Sequence, residues 1–379
     1  MEISHIGHSC FKIVGKNLTV VTDPFNHPEI SLKMPKVDAN VVTISHDHKD
    51  HNYKEAIKGD YLLLDSPGEY EVKECFFQGI SAFHDDKQGA ERGANTIFTM
   101  EIDGIHLCHL GDLGTELDRE QLEAMDGVDI LVHAAALKQV PIAEYNPIEA
   151  IKTNIIGTMN VIDAAIDNEI EKGMFISSDK AVNPINLYGA TKLCAEKLFV
   201  QANSYIGKRR TKFSCVRYGN VVGSRGSVVP LFLEQKKGGV LTITDKRMTR
   251  FWITLEEGVN FVIKCIEKMK GGEVFIPKIP SMRIMDLAEV IAPKAKIKII
   301  GIRPGEKLHE VLLPTEELRH SKEFDKYFVV EPEFPFWKRE NLKRGKSLPE
   351  GFRYSSDTNR EWITKEQMRK ILKKLKIKK

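Results

Sequence analysis

No Cys-x-x-Cys pair occurs in the 379 residues, and the six cysteines (Cys10, Cys75, Cys108, Cys194, Cys215, Cys265) are scattered, several inside apolar strand-like or helical runs. They read as reduced core thiols rather than a disulfide framework. No apolar run approaches the ~18 residues of a membrane span. The opening Met1-Glu2-Ile3-Ser4-His5-Ile6-Gly7-His8 lacks the basic-then-apolar order of an export signal. A cytoplasmic protein without a membrane partner is expected. Charge of one sign is missing too: 56 Lys+Arg against 53 Asp+Glu leaves a net charge of +3, so no nucleic acid partner is expected. The basic ending Lys373-Lys374-Leu375-Lys376-Ile377-Lys378-Lys379 reads as a solvated helix end. No motif recurs with a period of ~20–50 residues, which excludes solenoids and propellers. What the chain does have is 42% apolar residues and enough length for two or three domains with real cores.

The first third reads as short strands joined by turns: Phe11 to Val14, Leu18 to Thr22, Ala39 to Ile44, Tyr61 to Leu64, Ile97 to Met100 and Ile105 to Leu107, with few helices before Glu120. Directly after the third of these comes Ser45-His46-Asp47-His48-Lys49-Asp50-His51. Three imidazoles and two carboxylates in one loop at a strand end can converge on one or two divalent ions, and that donor set suits zinc, iron or manganese. His46, His48, Asp50 and His51 match the His-x-His-x-Asp-His signature position by position, so this segment resembles the metallo-β-lactamase superfamily. The likeness runs from Gly7-His8-Ser9-Cys10-Phe11 through Thr22-Asp23-Pro24 to Gly111-Asp112-Leu113-Gly114, and looks most like the small branch of metal-dependent hydrolases related to lactonases. The resemblance implies that His84 and Asp112 complete a ligand set for zinc or another divalent metal. It also calls for a second sandwich half with a final histidine ligand, which the following residues do not supply, so weaker metal binding is expected.

After about Gly127 strands and helices alternate, the pattern of a parallel α/β sheet. Val128 to Ala136 is an apolar strand running into a small-residue turn. Asn146-Pro147 should cap and start a helix with Ile151, Ile155, Met159, Ile162 and Ile166 at helical spacing. Met174-Phe175-Ile176 reads as a buried strand leading through Ser177-Ser178-Asp179-Lys180 into a helix from about Tyr188 to Tyr205. Of the nine tyrosines only Tyr188 has a lysine four residues on, Lys192, and on a helix that pair shares a face, where an ammonium favours a phenolate. Three later Gly/Pro-bounded loops, Tyr218 to Pro230, Thr244 to Trp252 and Arg303 to Glu310, carry arginines and amides that could hold a diphosphate and a sugar.

These stretches together with His133-Ala134-Ala135-Ala136-Leu137-Lys138 make residues from about 128 to 375 resemble the inverting UDP-N-acetylglucosamine 4,6-dehydratases, which are extended short-chain dehydrogenase/reductases. Lys180 carries the distinction from the retaining dehydratases, which have an acidic residue there. The resemblance implies that Tyr188, with Lys192 and Ser178, takes the sugar C4 hydroxyl proton, that Lys180 removes the C5 proton, and that Asp179 protonates the leaving C6 hydroxyl. It implies NADP contacts from Ala134, Lys138, Tyr188, Lys192, Val221, Val222, Gly223, Ser224 and Arg225, and UDP-N-acetylglucosamine contacts from Asn220, Val228, Thr244, Arg303 and Glu306. A homo-oligomer is expected. The family's opening strand, G-x-x-G-x-x-G turn and helix, whose amides reach the cofactor pyrophosphate, have no counterpart before residue 128. The expected fold is therefore α/β: a partial metallo-β-lactamase αββα segment, residues 1–127, followed by an incomplete Rossmann-type dehydratase-like domain, residues 128–379. Left without its first-strand partner, the strand at 130 to 136 should form an apolar edge. Impaired dehydratase, metal-dependent hydrolase and non-catalytic UDP-sugar binder are the functions in play.

Overall fold

Val20 and Val21, with Val41 and Val42, are all fully buried, and the period of two decides where each goes. Val20 and Val41 join Ile13, Leu64, Phe77, Phe98 and Met100, whereas Val21 and Val42 join Cys10, Phe25, Ile44 and Ile57 on the opposite face. A computed structural model describes this arrangement for residues 1–26, 34–125, 129–224, 226–333 and 345–374. The chain divides into two units, Met1–Ile130 and Leu131–Lys374. The residue boundary expected at 127/128 lies outside the described residues.

In the first unit a five-stranded sheet runs in the order Glu2–Gly7, Cys10–Val14, Thr19–Thr22, Val41–Thr43, Leu62–Leu64. Its first three strands are antiparallel, and the third, fourth and fifth are parallel. A second, antiparallel sheet has the order Ile105–His109, Ala94–Ile102, Cys75–Phe83, Gly68–Val72. Phe77, Phe98, Met100 and Ile102 from this sheet close on Ile13, Val20 and Val41 from the other, so the two pack face to face. Among the described residues one α-helix follows, Arg119–Ala124, with Asp118 and Gln121 forming a reciprocal capping box.

The second unit is built on a seven-stranded sheet in the order Ile130–His133, Lys172–Ser178, Lys212–Tyr218, Val274–Pro277, Tyr327–Val330, Ser321–Glu323, Lys346–Ser347. The 172–178, 212–218 and 274–277 strands run parallel, and the strands beyond them antiparallel. Met174, Phe175, Phe213, Cys215 and Val216 are buried, the continuous apolar run of a parallel strand covered on both faces. The fold is thus α/β with an incomplete Rossmann-type sheet: the 130–133 strand stands at its end, hydrogen-bonded to one neighbouring strand, with Val132 46% exposed. No described helix is long and apolar enough to cross a membrane.

Two local readings of the sequence are corrected. Asn146 does not cap the helix that begins at Pro147; its side-chain amide donates to the Ile142 carbonyl of the preceding turn instead. That helix is also interrupted, as Pro147–Ile151 passes through a π-turn, Lys152–Ile156, into Gly157–Asp167. The wider turn shifts the helical phase. Ile162 and Ile166 are buried, but Ile151 and Met159 face solvent, and the polar Asn154 and Thr158 take the inner positions.

Candidate functional site

The 172–178 strand ends on Ser178, and a 3-10 turn, Asp179–Ala181, follows at once. Asn186 then caps the helix Leu187–Gln201 by accepting a hydrogen bond from the Gly189 amide at 2.7 Å. Gly189 allows the helix to lie against that turn, because a Cβ there would meet the Lys180 carbonyl at 2.3 Å. Phe199, farther along the helix, packs between Phe175 and Phe213 on the sheet. The sheet and the capped helix so bring Ser178, Asp179, Lys180 and Tyr188 together.

Asp179 is fully buried. Its Oδ1 accepts from Ser178 Oγ at 2.9 Å and from Lys180 Nζ at 3.1 Å, while Oδ2 is buried without a hydrogen-bond partner. The Lys180 ammonium also lies 3.5 Å from Glu310 Oε1, and Arg250 and Lys307 approach Glu310 at 3.8 and 3.9 Å. Burial pulls the Lys180 amine down, but the Asp179 and Glu310 carboxylates outweigh it and hold it above the ordinary lysine value. Burial pushes the Tyr188 phenol up; Lys180 and a hydrogen bond with Ser178 act the other way without reversing it. Lys192 turns its ammonium to the Ile176 carbonyl, 2.5 Å away, and over the Phe175 ring at 3.9 Å, and burial brings it down to about 8.

Ala134 and Lys138 lie exposed beyond the edge strand, in a turn fixed by Asn154, whose side chain bonds the Leu137 amide, the Leu137 carbonyl and Thr191 Oγ1 on the Tyr188 helix. Asn220 and Val221 pair with Trp252 and Ile253; Val222 is buried, and Gly223, at φ 78°, and Ser224 form the turn that follows. Arg225 lies outside the described residues. Val228 opens a helix, Thr244 Oγ1 donates to Met248 Sδ, and Arg303 and Glu306 approach within 3.9 Å. Glu306 Oε2 is buried without a partner. A cavity of about 380 Å³ is lined by Lys246, Arg247, Thr249, Arg283, His309, Asp357 and Trp362. Glu310, Arg250 and Lys307 were within stretches singled out from the sequence, but nothing in their spacing marked them as neighbours of Lys180.

The second cluster belongs to the first unit. Asp23 follows the 19–22 strand, which lies parallel to 41–43, and its buried carboxylate accepts from Ser45 N and Oγ, both at 2.7 Å, and from His51 Nδ1 and His109 Nε2, both at 2.9 Å. Burial raises the Asp23 carboxyl, but His109 and His51 hold it well below the carboxylate range. His51 is held above its usual value by Asp23 against the pull of burial, and His46 is pushed down to about 4 by burial and by the His51 charge. His46, His48 and His84 each offer a nitrogen within 4.8 Å of the others. His84 Nε2 lies 3.2 Å from Asp112 Oδ2, and Gly111 gives that approach room, since a Cβ there would meet Ser45 Cβ at 2.4 Å. Every ligand expected from the sequence thus comes to one place: His46, His48 and His84 with Asp112, and Asp50 with His51 and, unanticipated, His8. His46 Nε2 is buried and has no hydrogen-bond partner, so the cluster has the chemistry and the open nitrogen that a divalent metal requires.

A family model for polysaccharide biosynthesis protein matches residues 92–332, and one for the beta-lactamase superfamily domain matches residues 2–148. The inverting UDP-N-acetylglucosamine 4,6-dehydratase of Campylobacter jejuni is 51% identical over 270 residues, covering 69% of this chain and 81% of that protein. A UDP-glucose 4-epimerase of Rickettsia canadensis is 44% identical over 213 residues, covering 55% of this chain and 62% of that protein. Among solved structures, Pen from Bacillus thuringiensis superposes with a TM-score of 0.59 at 40% identity, covering 67% of this chain and 78% of that one.

Proposed function

The chain belongs to the polysaccharide biosynthesis protein family, and from that premise we propose that it is, by descent, a C5-inverting UDP-N-acetylglucosamine 4,6-dehydratase, an NADP-dependent lyase supplying 4-keto-6-deoxy nucleotide sugars for polysaccharide or protein-glycan synthesis. The observation that carries this reading is the Asp179–Lys180 pair, its carboxylate buried with one oxygen committed to Lys180 and Ser178 and the other unpartnered, on the turn that abuts Tyr188.

Tyr188, with the Ser178 hydroxyl beside it, would receive the C4 hydroxyl proton as that carbon is oxidised. A bound dinucleotide would supply the hydride acceptor and donor, with solvent returning a proton to C5 at the end. The 4-keto group acidifies C5, and Lys180 must be neutral to take that proton. Transfer of its own proton to Asp179 across the 3.1 Å contact creates the neutral amine base and the carboxylic acid in one step. The acid is then ready to protonate the leaving C6 hydroxyl. Exclusion of water by bound substrate favours this neutral pair over the ion pair. The basic groups Lys246, Arg247 and Arg283 around the 380 Å³ cavity suit a diphosphate.

Residues 1–127 contain no glycine turn for the cofactor pyrophosphate, so slow turnover is expected. Incubation with UDP-N-acetylglucosamine and NADP in D2O tests the assignment: deuterium at C5 of a 4-keto product is expected. Binding of UDP without either signal would leave a UDP-sugar binder, and metal-dependent ester or lactone cleavage alone would move the activity to the His46 cluster.

A further inference from the structure

The Lys180 ammonium meets two carboxylates, Asp179 at 3.1 Å and Glu310 at 3.5 Å, and only Asp179 takes part in the proposed proton transfers. We propose that Glu310 is the positioning residue of the C5 base: with Asp179 it clamps the Lys180 ammonium between two anions, so that a proton taken from C5 stays on the amine instead of returning to the same face of the sugar. This inference rests on the dehydratase reading of Lys180 and deepens it.

Glu310 is firmly held. It stands directly before the strand Val311–Leu313, which pairs with Tyr354–Ser355. Its amide donates to Ser356 Oγ at 2.9 Å, and its carbonyl accepts from the Ser356 amide at 2.8 Å and from Ser355 Oγ at 3.3 Å. The carboxylate is less well provided for: the side chain is 3% exposed, and Oε2 is buried without a hydrogen-bond partner. Arg250 commits Nη1 to the Thr249 and Leu308 carbonyls and Nη2 to the Lys307 carbonyl, while Lys307 donates to the Val182 carbonyl. Both cations therefore stay 3.8 and 3.9 Å from Glu310, and Lys180 is the nearest cation to it among the described residues. Stability alone does not call for a buried charge there.

Charge decides what the clamp does. The groups that face the Lys180 amine are the Asp179 and Glu310 carboxylates, the Arg250 and Lys307 cations beside Glu310, and the Tyr188 phenol. In the elimination the C5–H bond breaks as an N–H bond forms on Lys180, its electron pair becomes the second C5–C6 bond, and the C6 hydroxyl leaves as water with the Asp179 proton. Lys180 is then an ammonium between two carboxylates, and both oppose release of its proton. Once hydride has returned to C6, C5 is left to take a proton from solvent on the face that Lys180 does not cover, which is the change of face an inversion requires.

Acetylation of Lys180 by acetic anhydride at about pH 9 in the full-length protein, read by peptide mass spectrometry against the exposed Lys237, tests the clamp without turnover. Only the neutral amine reacts, and removing an opposite charge at this distance moves a pKa by roughly 1–3 units. Lys180 is 26% exposed, so the lower end applies and Glu310→Gln should raise its rate about tenfold. Glu310→Asp keeps the charge and should stay within about threefold of wild type. An unchanged rate in Glu310→Gln would overturn the proposal, and so would an equal rise in Glu310→Asp, which would make Glu310 a packing residue. The same proteins, given UDP-N-acetylglucosamine and saturating NADP, report on the sugar: wild type should give only C5-inverted 4-keto product, and Glu310→Gln a mixture of C5 configurations by NMR. Wholly inverted product from Glu310→Gln would overturn the role at C5. Absence of product from every one of them would overturn the dehydratase reading instead, while the acetylation rates still decide whether Glu310 holds Lys180.

Discussion

Replacing Lys180 by alanine should separate two consequences that the structure ties to one side chain. The substitution leaves the Asp179 and Glu310 carboxylates, now at 3.1 and 3.5 Å from an ammonium, without it. Breaking a buried ion pair from one side costs about 3–5 kcal/mol. Lys180 keeps 26% exposure, and Arg250 and Lys307 remain near Glu310, so the lower end, about 3 kcal/mol, is expected. At about 2–4 °C per kcal/mol for a unit of this size, the melting temperature should fall by roughly 6–12 °C. The sign with pH is set by a folded pKa raised above the unfolded one: the contribution is fully present below the ordinary value of 10.5 and is lost only as pH climbs beyond it. The wild-type to Lys180→Ala difference in melting temperature should therefore be flat from neutral pH to about 9. Calorimetry across that range checks the first consequence. The second is a fall in 4-keto sugar formation of about 10²-fold or more, from loss of the C5 base. A stable variant with near-normal turnover would refute both the packing argument and the role.

Three further outcomes follow from the same geometry. Tyr188→Phe should abolish turnover while leaving UDP-sugar affinity unchanged, as measured by calorimetric titration. Lys192 has a folded pKa of about 8 against an ordinary 10.5, so the unfolded chain holds the extra proton between those values. Its contribution to stability should therefore rise with pH by up to about 1.4 kcal/mol per unit there, a slope that Lys192→Met should remove from the second unit's denaturation curves. Asp23→Asn should weaken zinc binding by about 10–100-fold, because it loosens His51 and reverses the hydrogen-bond polarity at Ser45; competition with a chromophoric chelator reads it.

Several strands of the first unit were legible because Val20–Val21 and Val41–Val42 are short apolar runs between turn residues. The nine-residue strand Cys75–Phe83 was not, since Gln78, Gly79 and Ser81 break its apolar pattern. Gly79 is there because a Cβ would meet the Ser66 carbonyl at 2.6 Å, a constraint that appears only once the neighbouring strand is in place. The Ser178–Tyr188 cluster and the His46 loop could be read because their members are close in sequence. Glu310 meets Lys180 across a separation that no periodicity encodes, and His8 meets His51 in the same way. The π-turn at 152–156 defeated the helical stripe, as one extra residue in the turn moves Ile151 and Met159 off the inner face.

The proposed dehydratase site should keep its sugar-nucleotide end while lacking the pyrophosphate end of its cofactor site. Separate calorimetric titrations of NADP and UDP into the folded, full-length protein test it most directly. Loss of even ~4 kcal/mol of diphosphate binding weakens affinity roughly a thousandfold. UDP should therefore bind in the micromolar range and NADP no better than millimolar. Micromolar NADP binding accompanied by robust 4-keto sugar formation would contradict the claim.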